Sequence, residues 1–153
     1  MPVNPIPNHL NSITPLLTFK HAAEAIRFYE EAFGAVLLSR IDTPDRKVIH
    51  AEMRIGNSVI FLADEFAGRH AHPPRSPGES SIHMELYVEN VDAMFRRALS
   101  AGAERSLEPA IMFWGDRYGQ VKDPFGYVWG IATHIEDVPP EEIDRRAKEL
   151  FCK

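Results

Sequence analysis

HAAEAIRFYEEAFGAVLLSRIDT, residues 21–43, decides the fold. Ala22, Ile26, Tyr29 and Phe33 recur at helical spacing, which predicts a helix over 21–33 with one apolar face. Gly34 follows the last of them, where a helix ends easily because glycine enters the left-handed conformation without penalty. Residues 35–43 are then rich in Val, Leu and Ile and read as a strand. The same grammar returns in VDAMFRRALSAGAERSLEPAIMF, residues 91–113. Asn90 is placed to cap a helix over 91–101, Val91, Phe95, Ala98 and Leu99 share a face, and Gly102 stops it before a strand within 103–113. Each helix is followed by Gly-Ala.

Working outward, the first copy has a β-prone run before its helix (13–19) and two further strands after it (47–55 and 58–64). Turn signals at Pro44-Asp45 and Gly56-Asn57 separate them. The second copy has a strand at 80–89, a hairpin turn at Gly115-Asp116, a strand from Arg117, a turn at Asp123–Gly126 and a last strand at 127–134. Two β-α-β-β-β units in one chain are the signature of a repeat. The expected organisation is an N-terminal arm (1–12), a first unit (13–64), a Pro/Gly/Ser-rich linker or lid (65–79), a second unit (80–134) and a C-terminal helix (135–153). That last segment starts with prolines and acids and carries Ile143, Ala147 and Leu150 on one stripe, so it should pack on the body or on a partner. The fold class is α+β.

Composition narrows the function classes. A chain of 153 residues with 44% hydrophobic and 25% charged side chains is that of a globular domain able to bury a core without staples. A net charge of -5 argues against nucleic acid or an anionic membrane as partner, since both favour a basic face. The one cysteine, Cys152, cannot form an intrachain disulfide, and the N-terminus lacks the pattern of a signal peptide, so a cytoplasmic location is expected. No nucleophile elbow, phosphate loop or dinucleotide fingerprint is present.

The stretches FYEEAFGA, IHMELYVENVDAM and DPFGYVWGI resemble the vicinal oxygen chelate superfamily, which includes glyoxalase I, extradiol dioxygenases, and bleomycin and fosfomycin resistance proteins. WGDRYGQVKDPFGYVWGIATHIEDVPPEE is similar to its PhnB-like subgroup, and the resemblance covers about residues 10–134. It implies that each unit curls its strands into half of an open, U-shaped, mostly antiparallel sheet with the helices outside. It also implies that the first and fourth strands of each unit offer metal ligands to the concave side. Carried over by position, those ligands fall on Thr14, Phe61, His83 and Gly130. Only His83 suits a cation, whereas a catalytic metal takes about three protein ligands. Phe61 and Gly130 instead suggest a pocket shaped for an organic group.

Strand alternation adds to this set. In 47–55, Ile49, Ala51, Met53 and Ile55 should pack under the helices and His50, Glu52 and Arg54 face the other way. In 80–89, His83, Glu85 and Tyr87 alternate with Ile82, Met84, Leu86 and Val88. A plain antiparallel sheet with one solvated face produces the same pattern, and the resemblance is what turns that face into a cavity. Trp114 could stack on a flat ligand, and Arg117 could pair with a ligand anion or with Asp116 or Asp123. Trp129, opposite in phase to Gly130, reads as core, and His70 and His72 read as surface. The expected ligand-binding residues are thus His50, Glu52, Phe61, His83, Glu85, Tyr87, Trp114, Arg117 and Gly130. The expected activity is binding of a small organic molecule with no obligatory cofactor, in a homodimer. The alternative is a metal-dependent lyase, isomerase or dioxygenase in which His50, Glu52, His83 and Glu85 hold Zn, Mn or Fe. A third possibility is a scaffold for dimerisation alone.

Overall fold

The computed structural model describes residues 2–152. The chain divides between Ser76 and Pro77 into two compact units. The first holds β1 (Leu16–Phe19), α1 (Ala22–Phe33), β2 (Val36–Asp42), β3 (Val48–Ile55) and β4 (Ser58–Asp64). The second holds β5 (His83–Tyr87), α2 (Val91–Ala101), β6 (Glu104–Ile111), β7 (Asp116–Lys122) and β8 (Val128–His134), followed by α3 (Pro140–Phe151). Each unit forms a four-stranded mixed sheet, ordered β1-β4-β3-β2 and β5-β8-β7-β6. In both, the first strand pairs with the last in parallel and the other pairs are antiparallel. The α+β repeat expected from the two helices is what the backbone forms.

The helices take the ends their sequences specify. Gly34 closes α1 at φ +66°, and its N–H donates to the Glu30 carbonyl. The Asn90 side chain caps α2 by accepting from the Ala93 N–H at 3.0 Å. α1 lays Ala22, Ile26, Tyr29 and Phe33 against its sheet, with Tyr29 and Phe33 stacked at 5.9 Å. Burying each of the larger side chains is worth roughly 1.5–3 kcal/mol. α2 packs Val91, Phe95 and Ala98 on β6, β7 and β8 in the same way.

Two buried carboxylates hold the corners. Asp64, at the end of β4, accepts from the Ala22 N–H at 2.8 Å and the Val48 N–H at 2.6 Å, tying the start of α1 to the start of β3. Asp123 opens the turn before β8 and accepts from the Phe125 and Tyr127 N–H groups and from the Trp129 indole, all at 2.9 Å. Trp129 is core, as its phase implied.

The structure departs from the sequence reading at three places, β1, β3 and Asp116. β1 begins at Leu16, so Thr14 precedes the strand. The inner face of β3 is carried by Val48, Ala51, Met53 and Ile55 rather than by Ile49. A register shift against β2 between Ile41 and Asp42 inserts one residue and breaks the alternation there. Asp116 is the first residue of β7 and is buried, because the turn lies one step earlier, closed by the Gly115 N–H on the Met112 carbonyl. α3 buries none of its residues; Arg146 ties it to the Phe113 carbonyl and Phe151 meets the Phe113 ring at 6.2 Å.

Candidate functional site

In the first unit, the β3–β4 pairing sets Glu52 opposite Phe61. His50, two residues along the same strand, puts its ring edge-on to Phe61 at 4.7 Å. The Glu52 carboxylate lies between two imidazoles, 3.2 Å from His50 Nε2 and 2.8 Å from His9 Nε2. Burial works to raise the Glu52 carboxyl, but the hydrogen bonds from His9 and His50 outweigh it and hold the group below its ordinary value. His50, Glu52 and Phe61 therefore share one face, and the N-terminal arm adds His9.

In the second unit, Glu85 on β5 is the parallel partner of Gly130 on β8, and Gln120 on β7 is the antiparallel partner of Gly130 from the other side. The Glu85 carboxylate and the Tyr118 hydroxyl occupy the space in which a Cβ at position 130 would stand. The Tyr118 hydroxyl donates to Glu85 at 3.1 Å and accepts from the Gln120 amide at 2.9 Å. Burial first, with the nearby Glu85 charge, pushes the Tyr118 hydroxyl above its ordinary value although Gln120 opposes. His83, Glu85 and Tyr87 lie on this face in the alternation the sequence shows, with Met84 and Leu86 turned inward.

Further along the face, Asp116 gathers three donors. Its carboxylate accepts from the Tyr87 hydroxyl at 2.7 Å and the Trp114 indole at 2.8 Å, and it faces His134 Nδ1 at 2.8 Å. His134 Nε2 faces Asp137 at 2.7 Å. An imidazole with a carboxylate on each nitrogen satisfies both only as the imidazolium. The Asp137 hydrogen bond first, then the Asp116 one, accordingly raises His134 above its ordinary value. Burial would raise Asp116, but His134, Tyr87 and Trp114 together bring it below the usual carboxylate range. Tyr87 is raised, chiefly by its bond to Asp116.

Arg117 is one residue out of phase with Tyr118 and sits on the helix side, where its guanidinium makes two 2.8 Å bonds to Asp92 of α2. It does not join the other site residues, nor does it pair with Asp116 or Asp123. Sequence reasoning misses five participants, His9, Tyr118, Gln120, His134 and Asp137, and names Asp116 only as a partner for Arg117. Tyr118 and Gln120 were readable in principle, since they alternate with Gly119 on the strand beside Gly130. The roles of His9 and His134 depend on where the chain returns.

A chelated cation does not fit these residues. Thr14 lies outside its strand, Phe61 presents a ring, and Gly130 presents no side chain. Among the described residues no group of three or more His, Cys, Asp or Glu is disposed to hold a metal ion. Glu85 returns a carboxylate to the neighbourhood of Gly130, but it is engaged with Tyr118.

Known proteins are similar to this chain in sequence or in fold. An uncharacterized protein of Mycobacterium bovis is 41% identical over 135 residues, covering 86% of this chain and 89% of its own. TioX from Micromonospora superposes with a TM-score of 0.66 at 22% identity, covering 82% of this chain and 99% of its own. The PhnB protein from Bacillus cereus gives 0.62 at 18% identity, covering 80% and 99%. Residues 7–131 match the family described as Glyoxalase/Bleomycin resistance protein/Dioxygenase superfamily, and the chain belongs to that superfamily.

Proposed function

We propose that this protein binds a small organic molecule on the polar face of its second sheet, without an obligatory metal, and that it falls in the PhnB-like part of the superfamily. The observation that supports this reading is the pairing of Glu85 with Gly130. The strand offers no side chain at position 130, and a carboxylate and a phenol from neighbouring strands fill the space where one would stand. These are hydrogen-bonding groups suited to a neutral or cationic organic ligand. His83 stands at the end of the same face, and the His50–Glu52–Phe61 face of the first unit is a second surface of the same character.

The same reading includes a homodimer in the cytoplasm. β2 exposes Val36, Leu37, Leu38 and Ile41, and α3 exposes Leu150 and Phe151. Apolar surface of this kind is commonly covered by a second copy. No helix among the described residues is long and apolar enough to cross a membrane.

The test is native mass spectrometry of the protein purified from its own host. An organic mass that travels with the chain and is lost in His83→Ala, with thermal stability retained, supports the proposal. A single metal ion per chain and no organic adduct would overturn it.

A further inference from the structure

Trp114, His134, Asp137, Val138, Pro139 and Ile143 line a cleft of about 400 Å³ between the end of the second sheet and α3. Clefts that hold small organic ligands run from roughly 300 to 1,000 Å³. Two of its walls are aromatic, and one buried group fixes both: Asp116, 2% exposed, bonds the Trp114 indole and the His134 imidazole at 2.8 Å each. Trp114 is further braced edge-on by Tyr118 at 5.8 Å and by Phe113 at 5.1 Å. Val138, Pro139 and Ile143 add aliphatic lining. A site whose rings are already immobilised loses little side-chain entropy when a ligand enters.

The charge of the cleft selects among ligands. Asp116 and Asp137 bring two negative charges, and His134 offsets at most one. Among the described residues, no lysine or arginine lines the space. Arg146 of α3 is bonded to Glu136, Glu142 and the Phe113 carbonyl. An anion entering here would meet a net negative charge. A cation would meet Asp137, whose side chain is fully exposed, and the Trp114 indole, whose π-system attracts positive charge.

We propose that this cleft seats an organic cation, a positively charged nitrogen carried on a flat apolar body. This deepens the proposal above by assigning a ligand class to one end of the same sheet face.

The experiment is NMR titration of the full chain with benzyltrimethylammonium, and with phenylacetate as its anionic counterpart. The Trp114 indole N–H signal, identified by its loss in Trp114→Phe, should shift saturably with the cation and not with phenylacetate. Asp137→Asn should weaken binding about threefold, as expected for loss of an exposed ion pair. Ile143→Trp, which fills the cleft, should abolish the shift. No saturable shift at millimolar cation, an equal response to phenylacetate, or unchanged affinity in Asp137→Asn would overturn the inference. A host-derived organic mass that depends on His83, found together with a silent Trp114 signal, would sink this inference and leave the broader proposal standing. A responsive cleft in a protein that carries one metal and no organic mass would do the reverse.

Discussion

Glu85 lies over Gly130. The two are partners in the parallel β5–β8 pairing, and the Glu85 carboxylate fills the volume that any side chain at position 130 would claim. Even Gly130→Ala must push that carboxylate aside and stretch its bond from Tyr118, at a cost of about 1 kcal/mol. Gly130→Glu sets a second carboxylate against the first, and like charges in contact destabilise the fold. The sign follows from linkage: the loss is full where both carboxylates are ionised and shrinks in acid, where protonation removes the repulsion. Thermal melts of Gly130→Glu at neutral and acidic pH measure this. Zinc should restore part of the loss, because His83, Glu85 and the new carboxylate share one face.

Wild-type protein, by contrast, should retain no tight metal. Elemental analysis after dialysis against a chelator is expected to find zinc, manganese and iron well below one per chain. Melting temperature should be indifferent to the chelator.

The Asp116–His134–Asp137 chain makes stability depend on pH in two directions. His134 is raised, so its contribution is complete below the ordinary histidine pKa and is lost as pH rises through the raised value. Asp116 is lowered, so its contribution is present above the ordinary carboxylate pKa and is lost as pH falls through the lowered value. The pair should therefore stabilise most between those limits, in mildly acidic solution. His134→Gln should flatten the neutral-side slope of melting temperature against pH. Asp137→Asn should lower the His134 midpoint seen by NMR.

Asp123→Ala should destabilise the fold more than Gly130→Ala, His134→Gln or Asp137→Asn. It strips the partner from two backbone N–H groups and from the Trp129 indole, in a turn the second sheet is built around. Leaving a buried donor unpaired costs about 1–3 kcal/mol, so a loss near the top of that range is expected in denaturant titration.

Glu52→Gln tests the hold on the N-terminal arm. With the charge gone, His9 and His50 lose a carboxylate partner, and the arm should be released for less than about 1 kcal/mol. Hydrogen exchange at residues around His9 should accelerate while the exchange of β3 stays unchanged.

Local chemistry was enough for much of this. Ala22–Phe33 and Val91–Ala101 announce their helices through apolar spacing, and Gly34 and Asn90 mark their ends because backbone conformation and capping are properties of single residues. The face shared by His83, Glu85 and Tyr87 was likewise legible, since a strand's period of two needs no partner to define it. The inner face of β3 was not, because the shift to Val48 is a property of its pairing with β2. Arg117 was assigned to the wrong surroundings for a related reason. Its one-residue phase relative to Tyr118 hangs on where the preceding turn closes, and its partner Asp92 sits on a helix 25 positions earlier. The meeting of Glu85 with Gly130, of Asp116 with Tyr87, Trp114 and His134, and of His9 with Glu52 joins residues from separate elements. Such contacts are set by strand order and packing, which bring together side chains whose distance along the chain carries no trace of it.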